Sequence, residues 1–342
     1  MRSRRTPHAA PAARLALTLV AAVLAATALA GCGSTPGSTA GGSSSTGAPA
    51  ATSPAATTPS PSSSASASGS STTASSKSTS TAKEPDATRQ GGTAPKTVAP
   101  LLAPIAKLPK PQPAKQLRGP STVGVPVLMY HEIANPPAGA AHPDLYVAPA
   151  EFAEQMTYLI KHGYHAVTLQ QVWDFWHGDA TLPSKPVVIS FDDGDTPDFT
   201  IAAPLLNEIH WPGTLNLIVG KKQLRLKPEI VRALIAAGWE IDSHTVGHTD
   251  LPGLPASQLR FELTQSRARL HKLYGVPVNF FCYPSGRFDD AAVAAVEAAG
   301  YLGATTTRYG LARPSSPYLM RRVRVSGGTS GAGLGALIQD AP

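Results

Sequence analysis

Apolar runs and amphipathic stretches alternate along the chain from Ser121 onward. Short apolar runs bounded by turn residues predict buried strands, and apolar residues spaced three and four positions apart predict helices. The predicted strands lie near Val123–Met129, His165–Thr168, Val187–Phe191, Thr214–Val219, Trp239–Asp242, Val278–Cys282, Leu302–Thr306 and Arg321–Val325. The predicted helices lie near Pro149–His162, Leu169–Trp176, Asp198–Ile209, Pro228–Ala237, Pro255–Leu273 and Asp289–Ala299.

Strands that alternate with helices indicate an α/β fold with a largely parallel sheet, which either stays open or closes into a barrel. The glycine-rich phosphate-binding sequence of dinucleotide-binding sheets follows none of the predicted strands. We therefore predict a βα barrel. In such barrels the active site lies at the C-terminal ends of the strands.

Composition divides the chain near residue 120. Residues 32–120 consist mainly of Ser, Thr, Ala, Pro and Gly, with almost no aromatic or large aliphatic side chains. Such a segment buries too little apolar surface to offset the entropy lost on ordering its backbone. We predict a disordered linker at 32–120 and one folded domain at 121–342.

The first residues are typical of an export signal. Arginines at positions 2, 4 and 5 precede an apolar run at 15–30, and we predict a signal peptide at 1–31. The ending Leu29-Ala30-Gly31-Cys32 resembles the lipobox of bacterial lipoproteins. That resemblance implies acylation of Cys32 and anchoring to the outer face of the cell membrane, with the folded domain outside the cell or facing the wall. A plain cleaved signal is the alternative.

Net charge follows the same division. The whole chain carries +7, but residues 1–120 hold 12 Lys and Arg against 2 Asp and Glu, whereas residues 121–342 hold 17 against 20. The basic surplus therefore belongs to the signal and linker, and the charge balance implies no basic face for nucleic acid on the folded part. Cys282 is the one cysteine besides Cys32, so a lipidated Cys32 leaves no intramolecular disulfide.

Two pairs of polar residues follow predicted strands. Asp192 and Asp193 come directly after the predicted strand at 187–191, and His244 and His248 come after the predicted strand at 239–242. Alone, each pair is also compatible with an acidic turn or with ordinary surface histidines. Together, on one barrel face, two histidines and one carboxylate make three ligands with an open position, which is typical of catalytic zinc. The same set also describes the facial triad of non-haem iron oxygenases, which usually have all-β folds.

Phe191-Asp192-Asp193-Gly194 and the segment from Ser243 to His248 resemble the first and second motifs of the polysaccharide deacetylases, also called the NodB-homology domain or carbohydrate esterase family four. The resemblance covers roughly Val125–Val325 and implies a deformed (β/α)7 barrel. It implies that Asp192 is the general base. It further implies that Asp193, His244 and His248 hold one divalent metal ion, zinc by default, with cobalt, nickel and iron as alternatives.

The third motif of the family is altered here. Cys282 stands where the family has arginine, so the salt bridge that orients the base is expected to be missing. Ser285 replaces the tyrosine whose backbone amide contributes to the oxyanion hole, and we assign its amide to that role, with Tyr283 and Pro284 as further substrate-site residues. The late Leu-x-His motif, which brings the general acid, is absent because no histidine follows His271.

The opening strand suggests another source for the acid. Val125 to His131 resembles a subgroup with rearranged motif order, which includes the poly-N-acetylglucosamine deacetylases and takes its acid from the histidine of the opening Tyr-His. His131 is therefore the candidate acid; the alternative is a strand-end histidine with a structural hydrogen bond. Aromatic residues near strand ends are candidates for stacking on sugar rings, namely Tyr130, Tyr146, Tyr283 and Trp211.

The resemblance implies metal-dependent hydrolysis of N-acetyl groups on a cell-surface or extracellular polysaccharide, with release of acetate, by a protein that we expect to be monomeric. Two alternatives stay open. One is an O-acetyl esterase of the same family, and the other is a glycan-binding wall lipoprotein without catalysis, which the altered third motif favours. Peptidoglycan, poly-N-acetylglucosamine, chitin oligomers and acetylated xylan are all candidate polymers.

Overall fold

The computed structural model describes residues 114–195, 198–220 and 226–342. The predicted signal peptide, Cys32 and most of the predicted linker lie outside the described residues. None of the described helices combines the length and the apolar character needed to cross a membrane.

A closed barrel of parallel strands forms the centre of the domain. The described strands are β1 Gln116–Arg118, β2 Val127–Tyr130, β3 His165–Ala166, β4 Thr181–Pro183, β5 Pro186–Asp193, β6 Thr214–Leu217, β7 Glu240–Ser243, β8 Phe280–Cys282, β9 Gly303–Tyr309 and β10 Met320–Arg324. Neighbours around the barrel are β2-β10-β9-β8-β7-β6-β5, and a β2–β5 pairing closes the ring. The predicted (β/α)7 barrel is confirmed, and the open sheet is excluded.

Helices surround the barrel, and each predicted helix is found. The described α-helices are α1 Pro149–Lys161, α2 Leu169–His177, α3 Ala203–Glu208, α4 Pro228–Ala236, α5 Ala256–Arg260, α6 Ser266–Tyr274, α7 Asp290–Ala298 and α8 Gly331–Gln339. π-Helical turns at Asp198–Ala202 and Phe261–Gln265 lead into α3 and α6. Local sequence sets several ends: Thr168 and Gln171 form a reciprocal capping box at the start of α2. Two short strands, β1 and β4, and the last helix, α8, were not predicted.

Apolar packing occupies two regions. The larger cluster joins outward-facing strand residues, such as Val323, to helix residues, such as Leu334 and Ile338. A smaller cluster includes Val127 and Phe280, together with one face of α2. Several buried side chains of the strands are instead polar. Some of these polar side chains, such as Asp193 and Ser243, lie at the C-terminal ends of their strands, where the candidate site is found.

The folded region begins earlier than the predicted boundary at residue 120. β1 pairs antiparallel with β4, and the Ser184 amide donates to the Lys115 carbonyl at 2.8 Å. The Trp176 indole N–H also donates to the Val123 carbonyl at 2.9 Å. Composition does not reveal β1 because the strand has three residues, of which only Leu117 packs on the smaller apolar cluster, while the side chains of Gln116 and Arg118 stay exposed. The described part of the domain therefore includes residues 114–120, which the composition assigned to the linker.

Candidate active site

Asp193, His244 and His248 converge at the C-terminal ends of β5 and β7. Asp193 Oδ1 lies 3.4 Å from His244 Nε2 and 3.5 Å from His248 Nε2. Asp193 and His244 are buried, whereas the His248 side chain is 37% exposed. One carboxylate oxygen and two imidazole nitrogens thus face a common point that is open on the side of His248.

These distances fit a small divalent ion. Bonds of about 2.0–2.1 Å around a tetrahedral zinc place the ligand atoms about 3.3–3.4 Å apart, close to the separations found here. His244 Nδ1 lies 2.7 Å from the Cys282 carbonyl oxygen, and this contact requires a proton on Nδ1. Nε2 of His244 is thereby left as the metal-binding nitrogen.

A second group, formed by Asp192, His244 and Cys282, also has ligand atoms within 4.8 Å of one another. Both oxygens of Asp192 accept hydrogen bonds from Arg322, so this carboxylate is already engaged. Asp193, His244 and His248 are therefore the better candidate set for holding a metal ion.

Arg322 on β10 provides the salt bridge that the third motif was expected to lack, so that expectation is wrong. Its Nη1 donates to Asp192 Oδ1 and its Nη2 donates to Asp192 Oδ2, both at 2.8 Å. Arg322 is fully buried, and Nη2 also lies 3.3 Å from the sulfur of Cys282. The guanidinium therefore reaches the place where the family's arginine would act, but from a different strand.

The environment of Asp192 keeps it ionised. Burial alone would raise the pKa of this carboxyl, but the charge and hydrogen bonds of Arg322 outweigh it and hold the pKa well below its usual range. The Asn216 amide also donates to Oδ1, at 2.7 Å. Neither Arg322 nor Asn216 was predicted as a site residue. The predicted strand at 321–325 did carry a signal, because alternate strand residues face opposite sides and one of its arginines had to face inward.

His131 lies on the same side of the barrel. It follows β2, and its Nε2 is 3.9 Å from Asp192 Oδ2, with 12% of the side chain exposed. The structure thus brings the candidate acid next to the candidate base, although the two residues are far apart in the chain.

The altered third motif forms a tight turn after β8. Ser285 is exposed and has a left-handed backbone with φ of 52°. Tyr283 and Pro284 are buried, and Tyr283 packs on Phe281 and Phe288. Their role as substrate-site residues therefore stays a prediction, which the burial of these two side chains does not support. Tyr130, Tyr146 and Trp211 are buried as well, because flat apolar rings at strand ends also suit the core.

Backbone strain is concentrated in the site. Among the described residues, the non-glycine positions with positive φ include Asp193 at 72°, Thr245 at 69°, His248 at 56° and Ser285 at 52°. Such conformations cost about 1–3 kcal/mol each and persist only where the surroundings impose them. The strained positions include two proposed metal ligands and the proposed oxyanion donor.

Comparisons with known proteins agree with this geometry. A family model described as polysaccharide deacetylase matches residues 179–304. The YxkH protein of Bacillus subtilis (strain 168), provisionally named a polysaccharide deacetylase, is 32% identical over 219 residues, which are 63% of this chain and 76% of the relative. The match to the family model includes neither His131 nor Arg322.

Two further relatives carry more specific names. The solved structure of the Streptococcus pyogenes deacetylase PplD in complex with acetate matches with a TM-score of 0.60 and 26% identity, covering 64% of this chain and 99% of that chain. The poly-beta-1,6-N-acetyl-D-glucosamine N-deacetylase of Escherichia coli (strain K12) is 30% identical over 100 residues, which are 28% of this chain and 15% of the relative.

Proposed function

Because the chain belongs to the polysaccharide deacetylase family, we propose that it hydrolyses N-acetyl groups on a cell-surface polysaccharide and releases acetate. The observation that carries the proposal is the pairing of two adjacent carboxylates. Asp193 faces the two histidines, while Asp192 is held ionised by Arg322. One strand end thus offers both a metal ligand and a base.

Asp192 accepts the proton of the water that attacks the carbonyl carbon of the acetyl group. When bound, a divalent ion supplies Lewis acidity and lowers the pKa of water toward neutrality. The Ser285 amide donates to the oxyanion that develops on the carbonyl oxygen. His131 protonates the departing nitrogen, the carbon–nitrogen bond breaks, and the products are acetate and a free amine.

Zinc is the proposed metal, because the donor set of two imidazoles and one carboxylate is that of catalytic zinc sites; cobalt, nickel and iron accept the same donors. Poly-N-acetylglucosamine is the first polymer to test, since a named deacetylase of this polymer shares 30% identity over 100 residues. We also propose export and anchoring through Cys32, on the basis of the sequence alone.

The test is acetate release by the purified protein from poly-N-acetylglucosamine, peptidoglycan, chitin oligomers and acetylated xylan, with and without chelator. We expect activity on at least one N-acetylated glycan, loss on chelation and return with zinc. Asp192→Asn should abolish acetate release while zinc stays bound, because Asp193, His244 and His248 are unchanged. Equal activity of this variant and the wild type would refute the proposed mechanism.

The alternative of a non-catalytic glycan-binding protein loses part of its support. That alternative rested on the loss of the arginine and the tyrosine of the third motif; Ser285 still replaces the tyrosine, but Arg322 forms an ion pair with Asp192 where the arginine is missing. The O-acetyl esterase alternative is decided by the same assay, since acetylated xylan would then be the preferred substrate.

A further inference from the structure

The loop between the two histidine ligands is held by a carboxylate that lies outside every family motif quoted above. Glu262 Oε2 accepts hydrogen bonds from the amides of Val246 at 2.7 Å and Gly247 at 3.1 Å. Its Oε1 accepts from the Thr249 hydroxyl at 3.2 Å. Glu262 is buried, with 9% of its surface exposed. One side chain therefore binds three groups of this short loop.

The other side of the loop is fixed by main-chain groups. The Thr245 carbonyl accepts from the Val219 amide at 3.2 Å, and the Val246 carbonyl accepts from the Gly220 amide at 2.7 Å. Carbonyls of the loop are thus bound to the segment after β6, while its amides are bound to Glu262. Because a carboxylate satisfies several donors at once, it is well suited to gather successive amides.

The loop needs such restraint because its backbone is strained. Thr245 and His248 both have positive φ, and a β-branched residue such as Thr245 rarely adopts it. The His248 amide donates to the Thr245 hydroxyl at 2.8 Å, so the two strained residues are linked. If the loop relaxed, His248 Nε2 would leave its place 3.5 Å from Asp193 Oδ1.

Glu262 lies in the π-helical turn Phe261–Gln265 between α5 and α6. A π-turn inserts one residue into a helix and rotates the side chains that follow, and such turns occur frequently at functional sites. We infer that Glu262 is a positioning residue that holds His244 and His248 in metal-binding geometry. This inference rests on the metal site of the proposed function.

The experiment measures zinc affinity by chelator competition on the full protein. Glu262→Leu should raise the zinc dissociation constant by about 10- to 100-fold, the usual effect of losing a group that orients metal ligands. Glu262→Gln should bind close to wild type, since its oxygen still accepts from both amides and its NH2 group donates to Thr249. The side chain of Glu262→Asp is shorter, so its zinc dissociation constant should lie between those of the other two variants. This variant replaces Glu262→Leu in the test if the Leu variant does not fold.

Two further measurements separate positioning from general stability. Absorption spectra of the Co²⁺-loaded proteins report coordination, and we expect the spectrum to change in Glu262→Leu and not in Glu262→Gln. Thr264→Ala is the matched control, because the Thr264 hydroxyl bonds the Arg260 carbonyl at 2.8 Å within the same helical segment. This control should keep wild-type zinc affinity.

The outcomes are distinct for the two proposals. Wild-type affinity and spectrum in both Glu262→Leu and Glu262→Asp would overturn the positioning role alone. Equal weakening by Thr264→Ala would also overturn it, because the effect would then come from the helix. Failure of the wild-type protein to bind zinc would overturn the proposed function and this inference with it.

Discussion

Replacing Arg322 with methionine removes the only cation that the described structure places against Asp192 with two hydrogen bonds. Methionine fills a similar volume without charge. Burial favours the neutral form of Asp192, and in this variant the positive charge of Arg322 no longer counteracts it. We expect the pKa of Asp192 to rise, so that the base loses activity at a pH where the wild type is still active.

The size of the shift follows from the geometry. Two unit charges about 4 Å apart, at an effective dielectric constant of about 20, interact by about 4 kcal/mol. Since one pKa unit corresponds to about 1.4 kcal/mol, the pKa of Asp192 should rise by roughly 3 units. The acid limb of kcat/KM against pH should move upward in the same direction. Leaving the carboxylate without its partner should also lower stability by about 3–5 kcal/mol.

The assay is acetate release from the best substrate between acidic and mildly basic pH, on protein shown to be folded. Arg321→Met is the matched control, because Arg321 is the exposed neighbour on the same strand and should leave the pH profile unchanged. Adding Cys282→Arg to the Arg322→Met protein should restore part of the activity at low pH, since the Cys282 sulfur lies 3.6 Å from Asp192 Oδ2. If the acid limb of the pH profile of kcat/KM is the same for Arg322→Met and for the wild type, the assigned role of Arg322 is refuted.

Two further predictions concern His131 and Glu240. His131→Ala should lower kcat strongly for N-acetylated glycans but little for an activated acetyl ester, because a good leaving group needs no proton; equal losses on both substrates would contradict its role as the acid. Burial raises the pKa of Glu240 to about 7 from 4.5, despite hydrogen bonds from Leu169 and Gln170, so the folded protein holds this proton more tightly than the unfolded chain. The free energy of unfolding should therefore fall as the pH rises from about 4.5 to about 7. Urea unfolding should show a smaller decline in Glu240→Gln, and an unchanged decline would contradict this.

Local sequence patterns were sufficient to predict most helices and strands and the candidate metal ligands. Each predicted strand and helix depends on the spacing of apolar residues within a short window, which is why their positions could be predicted. Asp193, His244 and His248 could be predicted because they lie at or shortly after strand ends, which share one face of a barrel, and because they match the family motifs. β1 and β4 escaped prediction, since two short strands stabilised by main-chain pairing leave little trace in side-chain periodicity.

The contacts that complete the site are long-range. Arg322 and Asp192 are 130 positions apart, and the motif position at Cys282 gave the wrong expectation of a missing salt bridge. Only closure of the barrel, through the β2–β5 pairing, brings β10 close enough to β5 for this contact. Glu262 depends likewise on contacts with a loop that precedes it by 13 to 16 positions in the chain. The sequence by itself thus determined the candidate residues for the chemistry, because these lie at or shortly after strand ends. The tertiary structure alone decided which residues orient them, because those contacts join elements distant in the chain.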